Sequence, residues 1–249
     1  MSDIYAAYAP IYHAIGQGAF AEALARRILA ALPAPPERVL DLACGAGAAT
    51  LVFAASGAAT IGVDRSEAML AIARARAGDL PVTWLAADIR RLPIGEMLAL
   101  ASFDLITCLY DSLNYLTGDD DLALAIGHAA RLLRPGGRLI FDLNTEHEFA
   151  LWGEGLDQVV HDADGLLVYH RLSYDAAVRL AHGRVVWFAH EDGRWRRGEE
   201  RHVERAWSDA EVLDALAGAG LRLAARRTPS WEPAPPDAPR VVYEAIRAS

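Results

Sequence analysis

Apolar residues recur along the chain in two alternating rhythms. Between residues 18 and 32 (GAFAEALARRILAAL), Phe20, Leu24, Ile28 and Leu32 fall four apart while Glu22, Arg26 and Arg27 lie elsewhere, which predicts an amphipathic helix. Pro33, Pro35 and Pro36 stop it. The apolar run Arg38 to Leu42 then turns at Cys44-Gly45-Ala46-Gly47. The pattern repeats as helix-like 48–56, strand-like Thr60 to Val63, helix-like 66–77 and strand-like Val82 to Ala86. Strands and helices alternating at this spacing imply right-handed crossovers and a parallel sheet. Phe103 to Leu109 reads as a fourth strand buried on both faces. A helix over 119–133 is expected to close at Arg134-Pro135-Gly136-Gly137, and Arg138 to Leu143 reads as a fifth strand.

From about Thr145 to Trp207 the period changes to two. Leu166 to Tyr174 and Arg184 to His190 read as antiparallel strands, with Asp164-Gly165 and Asp192-Gly193 as hairpin turns. Ser208 to Gly220 resumes the helical pattern with Ser208 as N-cap and Glu211 in the capping-box position. Strand-like Leu221 to Arg226 and Val241 to Ile246 follow, separated by a proline-rich turn at 229–239. The expected fold is a doubly wound α/β sheet with an antiparallel β insertion after the fifth strand. It forms one domain over 1–249, with a core at about 15–144 and 206–249, an N-terminal lid helix at about 1–14 and a cap at about 145–206.

Composition narrows the partners. All 24 basic residues are Arg, against 33 acids, so the net charge of -9 opposes binding to a phosphate backbone. Cys44 and Cys108 are too few for a disulfide framework and suit a reducing cytoplasm. Asp3, Tyr5, Tyr8 and Pro10 stand where a secretory signal needs a basic start and an unbroken apolar stretch, and no apolar run approaches the roughly 18 residues of a membrane span.

The candidate chemistry lies where strands end, since doubly wound folds bind ligands there. Gly45-x-Gly47 is followed by Thr50 instead of the third glycine of a dinucleotide loop, and Asp41 sits just upstream. A carboxylate there opposes a pyrophosphate and suits a sulfonium or ammonium. Asp64 ends the second strand at the spacing of an acid that takes two ribose hydroxyls, a feature NAD sites share. Asp88 follows the third strand, where it can accept from an adenine amino group while Ile89 covers a ring face. Each acid alone also reads as a turn or helix cap.

The ordered blocks Asp41-x-Ala43-x-Gly45-x-Gly47, Gly62-Val63-Asp64-x-Ser66-x-x-Met69-Leu70, Ala87-Asp88, Phe103-Asp104-Leu105-Ile106, Leu132-Leu133-Arg134-Pro135-Gly136-Gly137 and Ala219-Gly220-Leu221 resemble a class I S-adenosylmethionine-dependent methyltransferase. The resemblance implies a seven-stranded sheet with an antiparallel last strand. It also implies cofactor contacts from Asp41, Ala43, Gly45, Gly47, Asp64, Arg65, Met69, Asp88, Ile89, Leu109 and Tyr12. Ala43 stands where the family usually has Gly, so a slightly less open turn is expected. Tyr8-Ala9-Pro10-Ile11-Tyr12 and Tyr110-Asp111-Ser112-Leu113-Asn114-Tyr115-Leu116 resemble the bacterial small-molecule branch of sugar-amine and glycine-type N-methyltransferases and YqeM-like proteins. There an N-terminal helix lids the cofactor; Tyr8 and Tyr12 also read as a helix face packed on the core. His13 stands where those relatives often have Asp.

Methyl transfer from a sulfonium is an in-line displacement, and a base is needed only for a protonated nucleophile. Asp111, Tyr12, His13 and Asn114 are the candidate catalytic residues at the site mouth, acting on a small-molecule N or O acceptor. The cap is expected to select the acceptor through Tyr169, Tyr174, Trp187 and Trp195, and its replacement to leave cofactor affinity within a few-fold. Arg194, Arg196, Arg197, Arg201 and Arg205 read as a solvated face, an acceptor contact or a dimer surface. His161, His170, His182, His190 and His202 lack metal-ligand spacing, so no metal is expected. The competing readings are an NAD-dependent oxidoreductase, a noncatalytic cofactor-binding protein and an RNA methyltransferase.

Overall fold

A computed structural model of the chain describes residues 4–248. In chain order the elements are α1 (Ala9–Ala14), α2 (Ala19–Ala31), β1 (Arg38–Leu42), α3 (Ala48–Ala55), β2 (Ala59–Asp64), α4 (Glu67–Ala77), β3 (Val82–Ala86), β4 (Phe103–Cys108), α5 (Asp121–Leu132) and β5 (Leu133–Asn144). There follow α6 (Glu146–Ala150), β6 (Leu156–Ala163), β7 (Leu166–Asp175), β8 (Leu180–Glu191), β9 (Arg194–Arg205), α7 (Asp209–Gly218), β10 (Leu221–Arg227) and β11 (Arg240–Arg247). The main sheet has seven strands in the order β10-β11-β5-β4-β1-β2-β3, with β11 antiparallel to β5. This is the doubly wound sheet expected from the strand and helix rhythm.

The sheet is buried by a core on each face. Leu40, Ile106, Phe141 and Val241 pack with α5 and α7, while Val39, Leu105 and Ile140 pack with Leu24 and Ile28 of α2 and Phe53 of α3. Adjacent residues on one strand thus serve opposite cores, as strand alternation requires. Ser208 and Glu211 form the expected reciprocal capping box of α7.

Two boundaries differ from expectation. Residues 134–137 do not close α5; they bulge from β5, because Phe103 pairs with Leu133 and Leu105 with Arg138. Pro135 lacks an N–H and Gly136 adopts φ +76°, both tolerated in a bulge. The N-terminal helix is only Ala9–Ala14, with Pro10 in its first turn and Tyr8 as N-cap; residues 4–8 are turns, and residues 1–3 of the expected lid lie outside the described residues.

A second, four-stranded antiparallel sheet, β6-β7-β8-β9, follows β5. Asp164-Gly165 and Asp192-Gly193 make its outer hairpin turns with all four residues at positive φ, the geometry that matches strand twist. Tyr8 packs on Trp187 of this sheet with ring centroids 5.3 Å apart, so the N-terminal segment rests on the cap.

Candidate functional site

Two cavities meet above the carboxyl ends of β1, β2, β3 and β4. The first, about 410 Å³, lies among the β1, β2 and β3 turns, α1 and the segment after β4. At its floor the chain turns through Ala43 and Gly45, both left-handed at φ +52° and +53°. Ala43 therefore adopts the conformation expected of the glycine it replaces, at a steric cost of about 1 to 2 kcal/mol. Gly47, at φ +77°, starts α3, and any Cβ there would come within 2.7 Å of the Trp84 ring. It shapes the turn from behind without lining the cavity.

Asp64 lines the cavity and braces that turn. Its Oδ2 accepts from Gly45 N at 2.7 Å and its Oδ1 from Ser66 N at 2.8 Å. Asp88 lines it too, but caps a short 3₁₀ turn through Arg90 N at 2.9 Å and pairs with the Arg90 guanidinium, Nη2 to Oδ2 at 2.6 Å. That guanidinium holds the Asp88 carboxyl below its usual range. Thus the sequence view of Asp88 as a cap holds locally, and Arg90, overlooked there, stands at the same wall. Arg65, Met69, Ile89, Leu109 and Tyr12 line this cavity as well.

Asp41 does not reach it. The carboxylate is buried behind the turn, where Thr50 Oγ1 donates to it at 2.6 Å and Thr107 Oγ1 at 2.7 Å. Burial raises its pKa to about 6 against those two donors. Thr50, the residue that breaks the dinucleotide glycine pattern, is the partner that ties β1 to α3. The expected contact of Asp41 with a cation is replaced by a role beneath the turn.

The second cavity, about 340 Å³, lies between the carboxyl ends of β4 and β5, the amino end of β11 and the inner face of the cap. Tyr5, Tyr12, Tyr110 and Tyr115 border both cavities. A hydrogen-bonded row crosses the boundary: Tyr5 Oη to Tyr115 Oη at 3.0 Å, and Tyr115 Oη to His202 Nδ1 at 3.1 Å. Burial pushes the Tyr5, Tyr12 and Tyr115 phenols up and Tyr110 to about 12, so these rings are neutral near pH 7. Tyr12, a catalytic candidate from sequence, stands as a neutral wall shared by the two cavities.

Tyr110 and Asp111 take consecutive left-handed conformations, φ +63° and +51°, held because Asp142 accepts both their N–H groups. This turn aims Asp111 into the second cavity, where Arg240 Nη2 donates to it at 2.8 Å. The same guanidinium donates to Asp142 at 2.9 Å and lies against the rings of Phe20 and Tyr110.

The other catalytic candidates lie elsewhere. His13 is exposed on α1 and lines neither cavity. Asn114 is fully buried: its Nδ2 donates to the Asn144 and Arg205 carbonyls, and its Oδ1 accepts from Asn144 N. Its hydrogen-bonding capacity fastens the segment after β4 to β5 and the cap. Nor do Tyr169, Tyr174, Trp187 and Trp195 line the second cavity. Tyr174 stacks on Phe149, Trp187 on Tyr8, and Trp195 is exposed at the hairpin end.

The cap residues that do line it are Leu156 and Gln158 on β6, His170 and Leu172 on β7, Gly183 and Val185 on β8, and His202 and Glu204 on β9. Leu172, Gly183 and His202 form one cross-strand row, and Gly183 opens the space between its neighbours. A signal existed: with Asp192-Gly193 as a two-residue turn, register counting pairs Gly183 with His202. Burial drives both histidines down to about 4, so they are neutral. It pushes Glu204 well above the usual carboxylate range. The cap arginines are not a basic stripe: Arg197 and Arg201 face Glu199, Arg196 faces Glu191, and Arg205 pairs with Asp119 and Glu211. Among the described residues no three His, Cys, Asp or Glu side chains gather as metal ligands, and no helix is long and apolar enough to cross a membrane.

A family profile described as "Methyltransferase domain" matches residues 39–137. The chain is 31% identical over 224 residues to "dTDP-4-amino-2,3,4,6-tetradeoxy-D-glucose N,N-dimethyltransferase" of Saccharopolyspora spinosa, covering 89% of this chain and 85% of that one. It is 27% identical over 221 residues to "Putative methyltransferase YqeM" of Bacillus subtilis (strain 168), covering 88% and 87%. A crystal structure of an S-adenosylmethionine-dependent methyltransferase from Clostridium acetobutylicum ATCC 824 superposes with a TM-score of 0.82 at 25% identity, covering 98% and 99%. With one relative 31% identical over 89% of its length and a solved S-adenosylmethionine-dependent methyltransferase superposing over 98% of it, the chain belongs to the S-adenosylmethionine-dependent methyltransferases.

Proposed function

We propose that the first cavity holds S-adenosylmethionine and the second a small-molecule acceptor, with methyl transfer between them across the tyrosine boundary. The observation that carries this reading is the junction itself: two cavities of ligand size share Tyr5, Tyr12, Tyr110 and Tyr115 at the strand ends.

The residues of the first cavity fit the cofactor. Asp64 presents a strand-end carboxylate suited to ribose hydroxyls, Ile89 and Leu109 supply apolar walls for a purine, and Met69 adds a further wall. No lysine exists in the chain, and Arg90 is engaged by Asp88 and Asp121, so the carboxylates of Asp64 and Asp88 oppose a pyrophosphate at this wall. When bound, the cofactor supplies an electrophilic methyl on sulfur. The chain's own residues align the acceptor and exclude water: the N-terminal segment covers one side and the cap the other.

Calorimetric titration against S-adenosylmethionine, S-adenosylhomocysteine and NADH tests the cofactor assignment. The two sulfur compounds are expected to bind and NADH to give no heat; binding of NADH alone would sink it. Release of S-adenosylhomocysteine on incubation with a cell extract separates an enzyme from a noncatalytic binder.

A further inference from the structure

We propose that the acceptor is a small, phosphate-free amine, and that Glu204 is the group that docks it and takes its proton. This rests on the methyl-transfer reading of the two cavities.

Four polar atoms around the second cavity are shielded and lack a partner: Glu204 Oε2, His202 Nε2, His170 Nε2 and Tyr8 Oη. Glu204, His202 and Tyr8 are each more than nine-tenths buried. Unsatisfied polar groups inside a protein cost about 1 to 3 kcal/mol each, so four at one cavity mark a site built for a polar ligand. Its charge says which kind. Asp111, Glu148 and Glu204 line it against one guanidinium, Arg240, whose face lies on aromatic rings and whose Nη atoms already bond Asp111 and Asp142. His170 and His202 add no positive charge. A phosphate would thus meet three carboxyl groups and no free cation, whereas an ammonium finds an unpartnered carboxyl oxygen, and acceptor hydroxyls find His170, His202 and Tyr8.

An ammonium cannot attack a methyl group. The docked ammonium, as an opposite charge, holds Glu204 as the carboxylate; its proton then passes to that carboxylate, and burial, which favours the protonated acid, helps this transfer. The freed nitrogen lone pair forms the C–N bond as the C–S bond breaks, its electron pair staying on sulfur. Nothing is oxidised or reduced, and Glu204 later returns the proton to solvent.

The protein is incubated with methyl-¹³C S-adenosylmethionine and a cell extract split by ion exchange into cationic, neutral and anionic fractions. A labelled methyl in the cationic fraction is expected; label confined to the neutral or anionic fraction overturns the proposal. No label anywhere, with cofactor binding intact by calorimetry, overturns the methyl-transfer reading and the proposal with it. For the labelled compound, Glu204→Gln should lower kcat/KM about 100-fold, the loss of a charge-assisted bond and of the proton acceptor, with cofactor affinity within about two-fold of the parent. The loss should shrink at higher pH, where more acceptor arrives unprotonated. Turnover by Glu204→Gln equal to the parent would remove Glu204 from the step. Should that variant fail to fold, the fractionation with the parent protein decides.

Discussion

The two cavities differ in how their polar groups are spent. Around the first, Asp64 and Asp88 are engaged by the chain: Gly45 and Ser66 donate to one, Arg90 to the other. Around the second, Glu204, His170, His202 and Tyr8 each leave an atom without a partner. The first is preorganised by local turns at strand ends, so its ligand completes an existing network. The second is assembled from strands far apart in sequence, and its unsatisfied groups are stabilised only when a matching ligand arrives. One fold thereby carries a half built by local turns and a half assembled at long range.

The largest effect is expected on the preorganised side. Asp64→Ala removes the carboxylate proposed to take the ribose hydroxyls and frees Gly45 N and Ser66 N, so S-adenosylmethionine affinity should fall at least about 100-fold, from bonds worth about 1.5 to 3 kcal/mol each. An unchanged dissociation constant by calorimetry would break the assignment of this cavity.

Next comes the joint between the halves. Glu200 of β9 accepts from the backbone N–H groups of Tyr5, Ala7 and Tyr8 at 2.8 to 2.9 Å, pinning the N-terminal segment to the cap. Glu200→Ala should weaken cofactor binding about 10-fold without touching either cavity, the effect of losing roughly 1.5 kcal/mol of charge-assisted bonding. It should also speed proteolysis near residues 4–18. The same joint bears on the expectation that replacing the cap leaves cofactor affinity within a few-fold, because deletion would also remove the Glu200 contacts of the segment bordering the first cavity. Cofactor affinity unaltered in Glu200→Ala would show that the halves are independent.

A pH experiment sharpens the cost of the unsatisfied side. The folded-state pKa of His202 lies at about 4, below its ordinary 6.5, through burial; Glu200, 3.8 Å away, is committed to backbone N–H groups. Stability from keeping His202 neutral is present above 6.5 and lost as pH falls from there toward 4, by up to roughly 3 kcal/mol. His202→Asn should therefore lose less stability than the parent between pH 7 and pH 4.5 in urea titrations. Equal losses would mean that His202 does not carry the acid sensitivity.

The smallest effect concerns the first turn. Ala43→Gly relieves a left-handed alanine but loosens the unfolded chain, for a net gain of at most about 1 kcal/mol, or about 2 to 4 °C in Tm. Cofactor affinity should stay within about two-fold.

Much of this was legible without coordinates. The strand-end position of Asp64, the two Asp-Gly hairpins and the Ser208 to Glu211 capping box depend on neighbours within a few residues, and the structure places each where local pattern puts it. Asp41, Asn114 and His13 were misjudged because sequence position does not tell which way a side chain turns or who satisfies it. Thr50 and Thr107 claim Asp41, and the backbone of β5 and β9 claims Asn114.

Alternating apolar rhythm, turn residues and strand-end acids by themselves determined the doubly wound sheet, the inserted β sheet and the strand-end wall of the first cavity, since each arises from short-range sterics and the two-residue and 3.6-residue periods. The second cavity was decided only by tertiary structure. It joins Tyr8, Asp111, His170, His202, Glu204 and Arg240 from five separate segments. The burial of Tyr8, His170, His202 and Glu204, and thus the protonation that gives them chemistry, exists only once the cap has closed over the strand ends.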